Sequence, residues 1–204
     1  MGTTLIRRVV VLGLMLAAAT GCSSTTREGR SPVYLVLLNL EGASGAEPDA
    51  LENTLQSDVQ TQGGVFEDPG RVTMRVQYKD PTSGTVDAIN FVTLTRYRVD
   101  FRRSDGRNVP GVDVPYGFDG AATTTIAGNA TQMTFVLVRA QAKAEPPLRN
   151  LRGGGGAGLI STIAEVTFYG KDQTGSDVSV TGQISVNFAD WADPEGSSGG
   201  EEGE

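Results

Sequence analysis

Alternation with a period of two is the feature of this 204-residue chain that most restricts its fold. In RVTMRVQYK, Val72, Met74, Val76 and Tyr78 fall on one side of an extended backbone, with Arg71, Thr73, Arg75, Gln77 and Lys79 on the other. FVTLTRYRVDF sets Tyr97, Val99 and Phe101 against Arg96, Arg98 and Asp100, and TQMTFVLV contributes Met133, Phe135 and Leu137. ISTIAEVTFYGK opposes Ile160, Ala164, Val166 and Phe168 to Ser161, Glu165 and Thr167. VSVTGQISVNF aligns Val178, Val180, Ile184, Val186 and Phe188 opposite Ser179, Thr181, Gln183, Ser185 and Asn187. Successive side chains of a strand point to opposite faces, so these segments are strands with one face on a core and one in water. VYLVLLNL, residues 33–40, is apolar on both faces and predicts a strand covered on both sides. No stretch carries a sustained helical stripe.

Turn residues separate the strands. Ser104-Asp105-Gly106-Arg107 and Asp172-Gln173-Thr174-Gly175-Ser176 predict tight hairpins, and EPPLRNL predicts one helical turn opened by proline. Seven or more short strands with Gly, Pro and Asp between them predict an all-β, antiparallel sandwich of about seven to nine strands in two packed sheets. The closing segment, ISTIAEVTFYGKDQTGSDVSVTGQISVNF, resembles the last strand pair of bacterial immunoglobulin-like and fibronectin-III-like domains. The resemblance is one of pattern and lacks the cysteine pair of antibody domains; it implies an immunoglobulin-like sandwich.

The amino terminus has a different logic. Arg7 and Arg8 precede an uncharged run from Val9 to Ala19, too short for the roughly 20 apolar residues of a membrane span. A positive cluster, a short apolar segment and small residues describe an export signal. Here the small residues Ala19, Thr20 and Gly21 lead directly into Cys22, the only cysteine. The stretch resembles the lipobox of bacterial lipoproteins, with Ala19 standing where that family prefers a larger aliphatic residue. The resemblance implies a diacylglyceryl group on the Cys22 thiol and cleavage before it. Ser23, in place of an aspartate, implies the outer membrane in a host that has one. The expected organisation is a signal peptide over 1–21, a lipidated tether over 22–31, a sandwich over 32–192 and an acidic disordered tail over 193–204.

Charge and composition then exclude partners and chemistries. Loss of Arg7 and Arg8 with the signal leaves 15 basic residues against 24 acidic ones, so a net charge of −7 becomes −9. That balance offers no footprint for nucleic acid and would be repelled by anionic lipid, leaving acyl chains as the attachment. Histidine is absent and Cys22 is consumed, which removes the usual acid–base residue and thiolate or imidazole metal sites. The three lysines, Lys79, Lys143 and Lys171, read as strand-end or loop residues with no setting for a serine–lysine dyad. Most acids, including Asp105, Asp119, Asp172 and Asp177, read as turn residues. The glycine run of LRGGGGAGLI lacks the lysine and the following helix of a phosphate loop and reads as a flexible loop. DQTGSD and RSDGRN lack the ligand array of a calcium loop. No cofactor and no metal are expected.

Two surface features remain. Arg96 and Arg98, on the outward side of their strand, form the candidate contact for an acidic protein partner in the envelope. Trp191, in NFADWADP, is expected to plug an open end of the sandwich; the sharper alternative is sugar stacking together with Tyr116 and Phe118 of VPYGFDG. The resulting expectation is a lipid-anchored, non-enzymatic structural or protein-binding lipoprotein of the cell envelope. A carbohydrate- or peptidoglycan-binding module is the second expectation, and a two-carboxylate hydrolase the third.

Overall fold

Eight strands in two facing sheets are seen in the computed structural model, which describes residues 29–154 and 158–191. They are β1 (Val33–Gly42), β2 (Thr54–Asp58), β3 (Asp68–Tyr78), β4 (Val92–Arg102), β5 (Phe118–Ile126), β6 (Thr131–Val138), β7 (Ile160–Asp172) and β8 (Asp177–Ala189). A short helix α1 (Ala140–Ala144) and a 3₁₀ turn (Leu148–Leu151) lie between β6 and β7. The smaller sheet has the order β1-β3-β6 and the larger β2-β8-β7-β4-β5. This is an all-β, mostly antiparallel sandwich of the immunoglobulin-like kind.

Each alternating segment is a strand whose apolar set faces the other sheet. Val72, Met74, Val99, Leu137, Val166, Phe168, Val186 and Phe188 are all fully or almost fully buried. Tyr97 ties the layers together. Its ring stands edge-on to Phe135, 5.2 Å away in the opposite sheet, and its hydroxyl accepts the Val136 N–H at 3.1 Å. A buried aromatic with its polar tip satisfied gains the full benefit of its apolar area.

Several expectations need correction. β1 is an edge strand buried on one face only: Leu35 and Leu40 enter the core, whereas Tyr34 and Leu38 stay exposed. A run of mostly apolar residues therefore does not require two covering layers; a register shift at Leu38 changes the parity of the strand, so that Leu40 and Gly42 follow Val33 and Leu35 on the inner face while Leu38 stays outside. Asp105-Gly106 makes a turn inside the 103–117 connection between β4 and β5 rather than a tight hairpin. The 172–176 hairpin is as expected, with Asp172 Oδ1 accepting the N–H groups of Thr174 and Ser176 and the Thr174 hydroxyl. The single turn in EPPLRNL is the 3₁₀ segment. Asp119 belongs to β5. One pairing is parallel: β2 crosses from the smaller sheet to run beside β8.

The register fixes two different ends. At one lie the start of β1, the 79–91 connection and the two short turns at 127–130 and 173–176. At the other, four connections gather: 43–53, 59–67, 103–117 and 139–159, together with the chain leaving β8. Cys22 and the tail from 192 onward lie outside the described residues, as does the 155–157 part of the glycine run.

Candidate functional site

The loop-bearing end is built on a charge pair. Asp68 opens β3 and Lys143 sits on α1; their side chains are 0% and 1% exposed and lie 2.6 Å apart. The same carboxylate accepts the Ser57 hydroxyl of β2 at 2.6 Å and the Gly45 N–H at 2.8 Å. Four segments distant in sequence thus converge on one buried group: the β1–β2 connection, β2, β3 and α1. Burial pushes the Asp68 carboxyl above its ordinary range, and Lys143, Ser57 and Gly45 pull against that rise without cancelling it. Lys143, read from sequence as a loop residue, is one of the most deeply buried side chains among the described residues. Ser57 and Lys143 share Asp68, yet Ser57 is fully buried and out of reach of a substrate.

Beside this pair is an open cleft of about 580 Å³, in the size range of small-ligand sites. Its walls are the 43–53 connection, the outer edge of β2, the 59–67 connection and Trp191. Gly45 fixes the first wall, since a Cβ there would lie 2.2 Å from the Glu67 carbonyl oxygen and 2.6 Å from Phe66 Cβ. The second wall is a tight turn closed by reciprocal Thr61–Gly64 backbone hydrogen bonds of 3.0 and 2.8 Å. Both central residues have positive φ, +49° at Gln62 and +79° at Gly63. Glycine accepts that conformation readily, while a glutamine is held there against its preference. Phe66 leaves the turn with its ring over Gly64 and about half exposed, at 48%.

Trp191 does not plug the sandwich. It is 38% exposed at the cleft margin, and its backbone N–H donates to Asp58 Oδ1 at 3.1 Å. Asp58 also accepts the Gln60 N–H at 3.4 Å and the Thr61 hydroxyl, so both of its oxygens are engaged in holding the walls. The companions expected from sequence are elsewhere. Phe118 is buried against Tyr97 and beneath the Arg139 guanidinium, and Tyr116 is exposed in the 103–117 connection against Gly111. Phe66, which shares the cleft with Trp191, was missed. Its only sequence signal is a lone aromatic among turn residues in QTQGGVFEDP. Glu47 and Asp58 both line the cleft, and both oxygens of Asp58 are already tied to backbone N–H groups and to the Thr61 hydroxyl.

Arg96 and Arg98 lie where the alternation put them, on the outer face of β4, and each has partners in its own sheet. They take the two oxygens of Asp119 at 2.9 Å each. Arg98 further grips Asp100 through two nitrogens at 2.7 and 2.8 Å, and Arg96 lies 3.7 Å over the Tyr169 ring. Two guanidiniums against two carboxylates leave this patch locally neutral. Among the described residues no group of three or more Cys, Asp or Glu could hold a metal ion, and no helix is long and apolar enough to cross a membrane. Comparison with protein-family models, curated protein sequences and solved structures returns no match.

Proposed function

We propose that this chain is a lipid-anchored, non-enzymatic lipoprotein of the bacterial cell envelope whose sandwich serves a binding or structural role. The observation that carries the reading is Cys22, the sole cysteine, set directly after an apolar run too short to span and three small residues. Two acyl chains hold a protein stably where one holds it only marginally, so lipidation with further acylation of the new amino terminus would keep it on its membrane. In a host with two membranes, Ser23 favours the outer one. The geometry suits such attachment. β1 begins at the end opposite the cleft, and the eight residues 23–30 before the buried Ser31 would reach about 27 Å if extended. A lipid on Cys22 would then present the four connections and the cleft away from the membrane surface.

A protein partner for Arg96 and Arg98 would have to displace Asp119 and Asp100 from guanidiniums they already satisfy. The cleft is therefore the better-supported binding surface. Replacing Cys22 with Ser should abolish metabolic labelling by palmitate and leave the precursor uncleaved. Recovery of a soluble, unmodified mature protein from wild-type cells would overturn the proposal.

A further inference from the structure

We infer that the cleft bounded by Phe66 and Trp191 is a binding subsite for an uncharged sugar ring of a glycan. The inference deepens the binding role proposed above but does not depend on the lipid. Two large aromatic side chains, Phe66 and Trp191, remain exposed in the lining of one concavity. The same lining includes Gln56, Gln62, Glu47 and Asp58. A pyranose matches this composition. One of its faces presents C–H groups that pack on an aromatic ring, and its rim presents neighbouring hydroxyls that pair with planar amide and carboxylate groups.

Charge narrows the ligand class. None of the residues lining the cleft is a lysine or arginine, and two are carboxylates. A phosphate, a sulfate or a uronic acid would enter against that field, whereas a neutral hexose or N-acetylhexosamine would not.

The site is also pre-shaped. Asp68 and Lys143 hold the wall that carries Gly45, and Asp58 holds the backbone of Trp191. Gln62, the only described non-glycine residue at positive φ, is fixed on the rim by the Thr61–Gly64 turn. Strain retained at a rim residue is the pattern of a position kept for contact rather than for folding. Rigid walls reduce what must be ordered when a ligand arrives.

Trp191 is the chain's single tryptophan, so its emission reports on this cleft alone. The full-length chain in mild detergent should be titrated with neutral N-acetylglucosamine oligomers and cello-oligosaccharides, and with oligogalacturonates as the anionic control. At least one neutral series should shift the emission saturably while the anionic series does not. Phe66→Ala should weaken that binding about tenfold, and Phe66→Tyr, which keeps the ring, should preserve it. Phe66 is half exposed, so both variants should fold, and unchanged far-UV circular dichroism checks this. An emission that no neutral oligomer changes at millimolar concentration overturns the inference, as does binding that Phe66→Ala leaves intact. Shortening of the oligomers during the titration would keep the sugar subsite but overturn the non-enzymatic reading. Failure of Cys22 labelling would overturn the anchor and leave these titrations unaffected.

Discussion

Two sets of ion pairs, built from the same chemistry, have opposite fates in this molecule. On the outer face of β4, Arg96 and Arg98 meet Asp119 with every partner about 40% exposed or more. At the loop-bearing end, Lys143 meets Asp68 with neither side chain reaching water. The first set trades solvent contacts for protein contacts of similar strength, and salt screens what it gains. The second would not be tolerated as a single charge, because an ion without its partner in the interior costs several kcal/mol. The conspicuous arginines decorate the sandwich, while the pair with no sequence signature fixes its loop-bearing end.

The contrast between the two sets is largest at Lys143. Lys143→Met should cost about 3–5 kcal/mol in a urea titration at neutral pH, because it leaves the Asp68 carboxylate buried without a cation. Removing the cation also removes the strongest influences that lower the Asp68 pKa, so this carboxyl should rise further. A carboxyl whose folded-state pKa exceeds its unfolded value near 3.9 favours the folded protein at low pH and ceases to do so as pH rises through the folded value. The deficit of the variant against wild type should therefore shrink as pH falls below neutrality through the variant's raised folded-state value. A deficit independent of pH would show that Asp68 does not carry the cost.

Burial without charge supplies the yardstick. Phe168 is fully buried and packs edge-on to Phe135 at 5.3 Å, so Phe168→Ala should also cost about 3–5 kcal/mol. Thr167, one residue earlier and facing outward, exchanges a hydroxyl hydrogen bond of 2.9 Å with Thr181 at the surface. Thr167→Ala should change stability by about 0.5 kcal/mol or less. Equal losses from the two changes would mean that the strand register differs from the one described.

The smallest effect belongs to the exposed set. Arg96→Gln with Arg98→Gln should cost about 1 kcal/mol or less, and molar salt should erase most of the difference. A charge reversal to Glu is a poorer test, since it would crowd four carboxylates together, the two new ones with Asp100 and Asp119. A loss as large as that of Lys143→Met would remove the distinction between the two sets.

What sequence could show follows from the same contrast. Alternation reports which side of a strand meets water, so the burial of Val166 and Phe168 and the outward placing of Arg96 and Arg98 were legible. It is silent on groups that meet across connections. Asp68 and Lys143 are 75 positions apart, in EDPG and AKAEPP, and each looks like a turn or loop residue in its own surroundings. Nor did local pattern reveal β2, whose five residues alternate for barely two cycles, or its parallel pairing with β8. Trp191 was recognisable as an aromatic beyond the last strand, but its neighbour Phe66 depends on how the 59–67 turn folds back.

The antiparallel pairing of β1 with β3 has a mechanical meaning. If the chain is held by lipid before residue 29 and a glycan is gripped at the far end, tension enters at Val33 and leaves through the walls around Gly42 and Asp68. That line of force runs along the strands, so the nine cross-strand pairs from Val33–Tyr78 to Gly42–Gly70 are loaded together in shear. A peeling load would break them one after another. Force spectroscopy with the same pair of attachment points would read that resistance, and the sandwich would then act as a stiff strut between membrane and wall.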